Sequence, residues 1–412
     1  MNKLDFAKKR VCVLGLGYIG LPTASLLANN GFEVQGVDIN QETVDIINDG
    51  KIHIVEPDLD TFVSSAVKAG KLKAFIKPHE ADIYIICVPT PLEINSQGEL
   101  NPNIDYIKQA VKSIYHLVKT GDTIILESTS PIGTTNTIKN DFEDLGVDIS
   151  SIFIAYCPER VLPGKIMVEI VENDRVIGGI NNDSTDKVAD FYKTFVNGNI
   201  YKTNCETAEM CKLIENSYRD VNIAFANEVS MIASDHNINT WELIDIANKH
   251  PRVNILQPGT GVGGHCIAVD PWFLVSSNPQ NSNLIKSARL TNNSKPSWVI
   301  EQIIKEVKLK NLEISLATTI ACLGAAFKPD IDDLRESPAI AVIDGLKEAG
   351  FNVLVVEPNI SKHEKYVTKP VQEAINEANI VAILVNHSNF NSDDIKEKLV
   401  NLNALDFCGT LK

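Results

Sequence analysis

Cys266 stands behind a run of glycines in Gly259-Thr260-Gly261-Val262-Gly263-Gly264-His265-Cys266, and the carboxylate of Asp270 follows four residues later. Glycines let a backbone approach a ligand closely and adopt dihedrals closed to other residues. A thiol delivered there reads as a nucleophile for something bound, where a cysteine in a strand pattern reads as inert core. At the other end of the chain, the apolar run Val11–Leu14 leads into Gly15-Leu16-Gly17-Tyr18-Ile19-Gly20, and Asp38 closes the next strand. Glycines at that spacing let backbone N–H groups and a helix N-terminus hold a pyrophosphate. Asp38 would accept hydrogen bonds from a ribose 2′-OH and repel a 2′-phosphate, which favours NAD over NADP. The competing reading is a flavodoxin-like turn that holds no ligand. A thiol and a dinucleotide site in one chain predict a dehydrogenase with a covalent intermediate.

Other polar residues stand at strand ends and on a long helix. Lys212, Asn216 and Arg219 are spaced i, i+4, i+7 and share one helical face. A solvated stripe is the plain reading, but Tyr218, Asp220, Asn222, Asn227 and Glu228 make this segment polar nearly all round, which suits a helix lining a site. Glu127-Ser128-Thr129-Ser130-Pro131 and Cys157-Pro158-Glu159-Arg160 each follow a strand-like run. Strand ends on the carboxyl side of a doubly wound sheet face the ligand crevice. Arg160, Arg219, His250, Arg252, Lys328 and Arg335 are the cations an anionic ligand would need.

The elements that must position these groups have an α/β pattern. Residues 1 to about 200 alternate apolar strands (10–14, 33–38, 83–88, 123–126, 152–156, 175–178) with helices, which predicts a parallel sheet covered on both faces. The middle reads as all helix: Thr207 to His236 without Gly or Pro, then 242–249, then 284–293 and 297–310 separated by Pro296. From Leu316 strands return at 319–323, 352–356, 380–384 and weakly 404–406. The expected fold is two Rossmann-like doubly wound domains joined by a central helical region, with divisions at 1–201, 202–310 and 311–412. No self-similarity aligns the two α/β halves. Met210, Leu213, Ile214, Val221, Ala224, Phe225 and Val229 form an apolar face on the long helix, and pairing with a second copy would bury it.

The 412 residues carry 38 basic and 53 acidic side chains, a net charge of -15 that argues against nonspecific nucleic-acid binding. The cysteines at 12, 87, 157, 205, 211, 266, 322 and 408 include no C-x-x-C pair, so no metal site or redox dithiol is expected. No apolar run is long enough to span a bilayer. No apolar segment precedes the first strand, so a cytoplasmic protein without a signal peptide is expected.

The motifs occur in a recognisable order: G-x-G-Y-x-G, C-V-P-T-P at 87–91, S-T at 128–129, P-E-R at 158–160, K-L-x-E-N at 212–216, G-V-G-G-H-C at 261–266 and F-K-P…R-E-S at 327–337. Over essentially its whole length the chain resembles the UDP-glucose/GDP-mannose dehydrogenase family. The stretches 218–224, 248–259 and 265–273 resemble members acting on a UDP-N-acetylhexosamine. The resemblance implies a homodimer with an NAD domain, a helical dimerisation region and a UDP-sugar domain. It also implies oxidation of a sugar C6 alcohol to a carboxylate with two NAD reduced. Cys266 would carry the thiohemiacetal and thioester. Lys212 and Asn216 would act on the C6 oxygen, and Asp270 and Thr129 on the hydrolytic water, assisted by Glu159; Lys212 and Asp270 both remain open as the first base. NAD would contact Gly15, Gly17, Tyr18, Ile19, Gly20, Asp38, Thr90, Thr129 and Arg335. The UDP-sugar would contact Arg160, Val161, Lys212, Asn216, Arg219, His250, Arg252, Gly263 and Lys328. Two positions depart from the family: Thr260 replaces a usual Pro, and Cys408 a usual basic residue.

Overall fold

The strand runs that read as continuously apolar are the ones the fold buries on both faces. In the computed structural model, which describes residues 9–95, 98–264, 266–360 and 365–412, the first strand β1 (Arg10–Leu14) is buried from its second residue onward. It lies between β2 (Glu33–Val37) and β4 (Ile83–Ile86), with β3 (Leu72–Phe75) beyond β2. A small antiparallel hairpin, β5 (Leu92–Ile94) with β6 (Leu100–Pro102), follows. The sheet then continues through β7 (Thr123–Leu126), β8 (Phe153–Tyr156), β9 (Arg175–Gly179) and β10 (Ile200–Asn204), in the order β10-β9-β8-β7-β4-β1-β2-β3. The chain leaves β1 towards β2 and β3 and returns on its other side at β4. That reversal is the topological switch point, where a crevice opens beyond the carboxyl ends of the strands.

The expectation of a purely parallel sheet needs one correction. β9 runs antiparallel to β8, and β10 is parallel to β9. The stretch 200–204, expected partly in the helical middle, is therefore the edge strand of this sheet.

The chain divides into two compact units, Met1–Glu215 with Trp272–Ser277, and Asn216–Pro271 with Asn278–Lys412. The second contains a four-stranded parallel sheet ordered β12-β11-β13-β14 from β11 (Thr319–Leu323), β12 (Asn352–Val356), β13 (Ile380–Ile383) and β14 (Leu405–Asp406).

The long helix runs Cys205–Asp235, close to its expected bounds. Leu213 and Ala224, expected on its unpartnered apolar face, are buried instead. The outward stripe is Met210, Ile214, Tyr218, Phe225 and Ile232, each between 44% and 71% exposed. Their spacing follows the helical period, so they lie along one side. Pro296 does not end a helix either. Asn283–Leu309 is one element with Pro296 inside it. Proline lacks only its own N–H bond, and the long apolar face from Val299 to Val307, fully buried, holds both halves in line. Among the described residues no helix is long and apolar enough to cross a membrane.

Candidate active site

The glycine turn after β1 separates what the protein needs from what a ligand needs. Gly15 has φ +90°, and its N–H donates to Val37 O at 2.8 Å. A Cβ on Gly15 would stand 2.6 Å from Cys87 O, and one on Gly20 1.8 Å from Gly15 O. Both glycines are demanded by the packing of the turn itself. At Gly17 a Cβ would meet no atom of the described residues within 4 Å, so none of them excludes a side chain there. Tyr18 and Ile19 lead into the helix Gly20–Asn29, whose first turn carries no acidic residue, leaving its positive end open to an anion. Asp38 Oδ2 accepts from Leu16 N and Oδ1 from Asn40 N, each at 3.0 Å. A carboxylate has further lone pairs, enough for a ribose diol. These residues fit NAD.

The carboxyl ends of β4, β7 and β8 form the neighbouring rim. Thr90 Oγ1 donates to Thr129 O at 2.7 Å, joining the segments after β4 and β7. Behind them Glu127 is buried and receives the hydroxyl of Tyr192, the Cys87 thiol at 3.2 Å and Thr23 Oγ1 at 3.5 Å. Burial, then the nearby Glu159, push the Glu127 carboxyl up, against Arg175 and those donors. Glu159 is itself buried and engaged, by Arg175 Nη1 at 2.7 Å and by the Arg160 amide at 2.7 Å. Arg160 forks onto Glu215, Nε to Oε2 at 3.0 Å and Nη2 to Oε1 at 2.7 Å. Glu215 lies on the long helix three residues past Lys212, so the end of β8 grips the helix beside that half-buried lysine. Val161, also half-buried, follows Arg160.

In the second unit, Cys266 is exposed and heads a turn in which its carbonyl accepts from Val269 N at 3.0 Å and Asp270 N at 2.8 Å. Asp270 opens the helix Asp270–Ser277, is buried, and accepts from Asn216 Nδ2 at 2.5 Å. His265 lies outside the described residues. The glycines ahead of the thiol are set by contact. A Cβ on Gly263 would lie 2.3 Å from Glu336 O, and one on Gly264, at φ +80°, 2.9 Å from the Phe327 ring. The loop thus lies on the segment that carries exposed Lys328 and Arg335, with Arg335 forked onto Asp333. Thr260 is buried and donates to Leu384 O at 3.3 Å, a tether a proline would not supply. Arg219 and the His250–Arg252 turn are exposed, the Arg252 amide donating to His250 Nδ1 at 3.4 Å. Cys408 packs beside Ile383, where burial pushes its thiol up. Burial likewise raises the thiols of Cys12, Cys157 and Cys322 to about 12, which makes them core groups.

Two arrangements escaped the sequence reading. The first is a structural echo of the cradle. Gly324 follows β11 at φ +92°, and its N–H donates to Val356 O at 2.8 Å, as Gly15 does to Val37. Glu357 follows β12 as Asp38 follows β2, and accepts from Ala325 N and Ala326 N and, through Oε1, from Asn359 N. Here, however, buried His387 lies 3.0 Å from Glu357. Burial alone would raise this carboxyl, but His387 and the amides outweigh it and hold it at about 2. A strand followed by glycine, and the next followed by an acid, was the available signal. The second is a buried polar line on the long helix, taken up below.

One sheet with a glycine cradle for NAD, a helical middle and a second parallel α/β sheet, together with an exposed thiol on a glycine loop, define an NAD-dependent oxidoreductase. The chain belongs to the UDP-glucose/GDP-mannose dehydrogenase family. Its NAD binding domain matches residues 9–196, its central domain 206–294 and its UDP binding domain 321–411. The chain is 52% identical to the UDP-N-acetyl-D-mannosamine dehydrogenase of Campylobacter jejuni, covering 92% of this chain and 96% of that protein. It is 47% identical to an NDP-N-acetyl-D-galactosaminuronic acid dehydrogenase of Ralstonia nicotianae, covering 95% and 94%. A solved UDP-D-ManNAc dehydrogenase from Pyrococcus horikoshii superposes with a TM-score of 0.88 at 35% identity, over 98% of this chain and 96% of that one.

Proposed function

We propose that the enzyme oxidises the C6 alcohol of UDP-N-acetyl-D-mannosamine to the uronic acid, as a cytoplasmic homodimer supplying surface polysaccharide synthesis. The observation that carries this is the exposed Cys266 turned directly into a helix whose first residue, buried Asp270, is held by Asn216. NAD, when bound, accepts the hydride leaving C6 in each of the two oxidations. The C6 hydroxyl proton passes to Lys212 or Asp270, and Lys212 and Asn216 stabilise the negative charge that develops on the C6 oxygen. The Cys266 thiolate adds to the aldehyde carbon and its oxygen takes a proton, giving a thiohemiacetal. The second oxidation leaves a thioester. Asp270, with Thr129, directs water onto it, releasing the carboxylate and restoring the thiol. Glu159 assists by fixing the end of β8 through Arg175. Arg160, Val161, Arg219, His250, Arg252, Gly263 and Lys328 hold the nucleotide sugar, and Arg335 the NAD pyrophosphate.

The proposed divisions are a cofactor domain at 1–201, a central region at 202–310 and a UDP-sugar domain at 311–412. The exposed stripe Met210, Ile214, Tyr218, Phe225 and Ile232 supports the dimer, since a polar-rimmed apolar helix face is covered in a symmetric pair. Ile214→Glu should yield monomers in light scattering; an unchanged dimer would move the interface elsewhere.

The sugar is tested by counting NADH against a panel of UDP-N-acetylhexosamines. UDP-N-acetylmannosamine should give two NADH per sugar at the highest kcat/KM. A higher kcat/KM with the glucosamine or galactosamine epimer would replace it as substrate. Cys266→Ala should abolish acid formation, and full activity of that variant would end the covalent reading.

A further inference from the structure

Among the polar side chains that the long helix and the helix Asn283–Leu309 bury between them are Asp220 and Asn227 from the first and Arg289 and Asn292 from the second, each at most 1% exposed. Arg289 Nη1 donates to Asp220 Oδ1, so the carboxylate is the counter-ion of a buried guanidinium. A carboxylate can only accept. Asn292 therefore turns its Nδ2 towards Asp220, donating to Oδ1 at 2.8 Å and to the backbone oxygen at 3.1 Å. That leaves Asn292 Oδ1 as an acceptor, and Asn227 Nδ2 donates to it at 2.8 Å. Asn227 Oδ1 is then turned outward, and it receives the N–H of Gly259 at 2.9 Å. Each amide is oriented by the one before it. The line begins at an ion pair and ends on the first residue of the loop that carries Cys266.

The backbone of Asn227 is tied as well. Lys295 Nζ, 3.9 Å from the Trp298 ring centroid, donates to Ser230 Oγ at 2.5 Å and to Asn227 O at 3.4 Å. Ser230 Oγ donates to the same carbonyl at 2.6 Å. Further along the loop, a Cβ on Gly261 would lie 3.1 Å from Asn292 O, so the loop passes directly over the helix that supplies the relay.

We infer that Asn227 is a positioning residue for Cys266: its amide, oriented by Asp220 through Asn292, fixes where the glycine loop starts and hence where the thiol is presented. The inference rests on Cys266 being the group that captures the aldehyde. Releasing the origin of the loop displaces the thiol and leaves the cofactor cradle untouched. The first oxidation then continues while capture fails, and aldehyde escapes before the second.

Asn227→Asp is the discriminating variant. It keeps an acceptor for Gly259 N but sets an oxygen against Asn292 Oδ1, and Asn292 cannot flip without turning its own oxygen on Asp220. Asn227→Ala removes both bonds. In either, NADH per sugar consumed should fall from two towards one, with semicarbazide-trapped aldehyde matching the shortfall. Acid formation should slow about tenfold or more, since small displacements of a reacting group carry such costs. KM for NAD and affinity for UDP should stay within about twofold, which a general loosening of the fold would not allow. Two NADH per sugar with no trapped aldehyde would overturn the inference. Cys266→Ala, run alongside, separates the layers. If it too yields two NADH, the capture reading fails; if it blocks while both Asn227 variants do not, only the positioning role fails. Should neither variant fold, hydrogen exchange of the native protein decides. A Gly259 amide protected like the interior of the long helix supports the relay, and one exchanging as an open loop amide overturns it.

Discussion

Replacing Gly17 with alanine separates ligand from fold more cleanly than any other change in the cradle. The added Cβ meets no atom of the described residues within 4 Å, and Gly17 is not among their glycines with positive φ. Alanine at such a position leaves the native state unstrained and removes freedom from the unfolded chain, which stabilises by about 0.4–1 kcal/mol. The methyl group instead occupies the space a pyrophosphate would approach. Loss of one charge-assisted N–H bond to phosphate costs about 1.5–3 kcal/mol, which corresponds to roughly 10- to 150-fold weaker NAD binding. Gly20→Ala is the contrast, because its Cβ would lie 1.8 Å from Gly15 O. Relief requires the turn to open, at about 3 kcal/mol or more. Thermal melts without ligand and calorimetric titration with NAD measure both quantities. Gly17→Ala should melt at or slightly above the native temperature and bind NAD at least tenfold more weakly, while Gly20→Ala should melt lower. Native NAD affinity in Gly17→Ala, or a melt several degrees lower, would refute the assignment of that open space to the cofactor.

Asp38→Ala should weaken NAD binding by more than a single ribose hydrogen bond, because Asp38 also holds the amides of Leu16 and Asn40. A calorimetric loss under about 1 kcal/mol would leave it a structural cap only. Arg175→Met strands the buried Glu159 carboxylate and should destabilise by about 3–5 kcal/mol in urea unfolding, where an unchanged midpoint would contradict the pairing. Burial lowers the Lys295 ammonium to about 7 from an ordinary 10.5. Between those values the unfolded chain binds a proton that the folded one does not, so this group makes stability rise with pH across that window. Below about 7 both states are charged and the penalty is fully present. Native protein should gain about 3 kcal/mol relative to Lys295→Met from pH 7 to 9.5, and equal pH slopes would show that the Trp298 ring and Ser230 keep the ammonium charged throughout.

What could be read beforehand depended on whether one residue type forces the answer. The turn after β1 was legible because only glycine fits at Gly15 and Gly20, and the long helix because thirty residues without Gly or Pro leave few alternatives. Pro296 misled for the opposite reason. Its missing N–H frees the carbonyl of Asn292, and the break predicted from the sequence is paid back by burial of the helix beyond it. The antiparallel β9 was illegible because strand direction is set by the crossover that precedes it and leaves no mark on the strand's own residues. Cys266, Asp270 and the strand-end carboxylates could be singled out as candidates from residue type and setting alone. The orientation of Asn227 could not, because it is determined by Asn292 and Asp220 acting together across two helices.

The closed echo of the cradle at Glu357 has a kinetic consequence. Where Asp38 keeps lone pairs for a ligand, Glu357 is saturated by amides and His387. In the proposed two-step oxidation the two cofactors needed for each sugar would share the one open cradle among the described residues and pass through it in turn. The half-oxidised sugar would wait while spent cofactor departs and fresh cofactor arrives. Under that proposal the attachment to Cys266 would have to outlive the exchange, so the turnover clock would be set by cofactor departure against thiohemiacetal lifetime. Added NADH should then act as a brake between the two oxidations as well as before the first, and the brake should tighten as NAD falls.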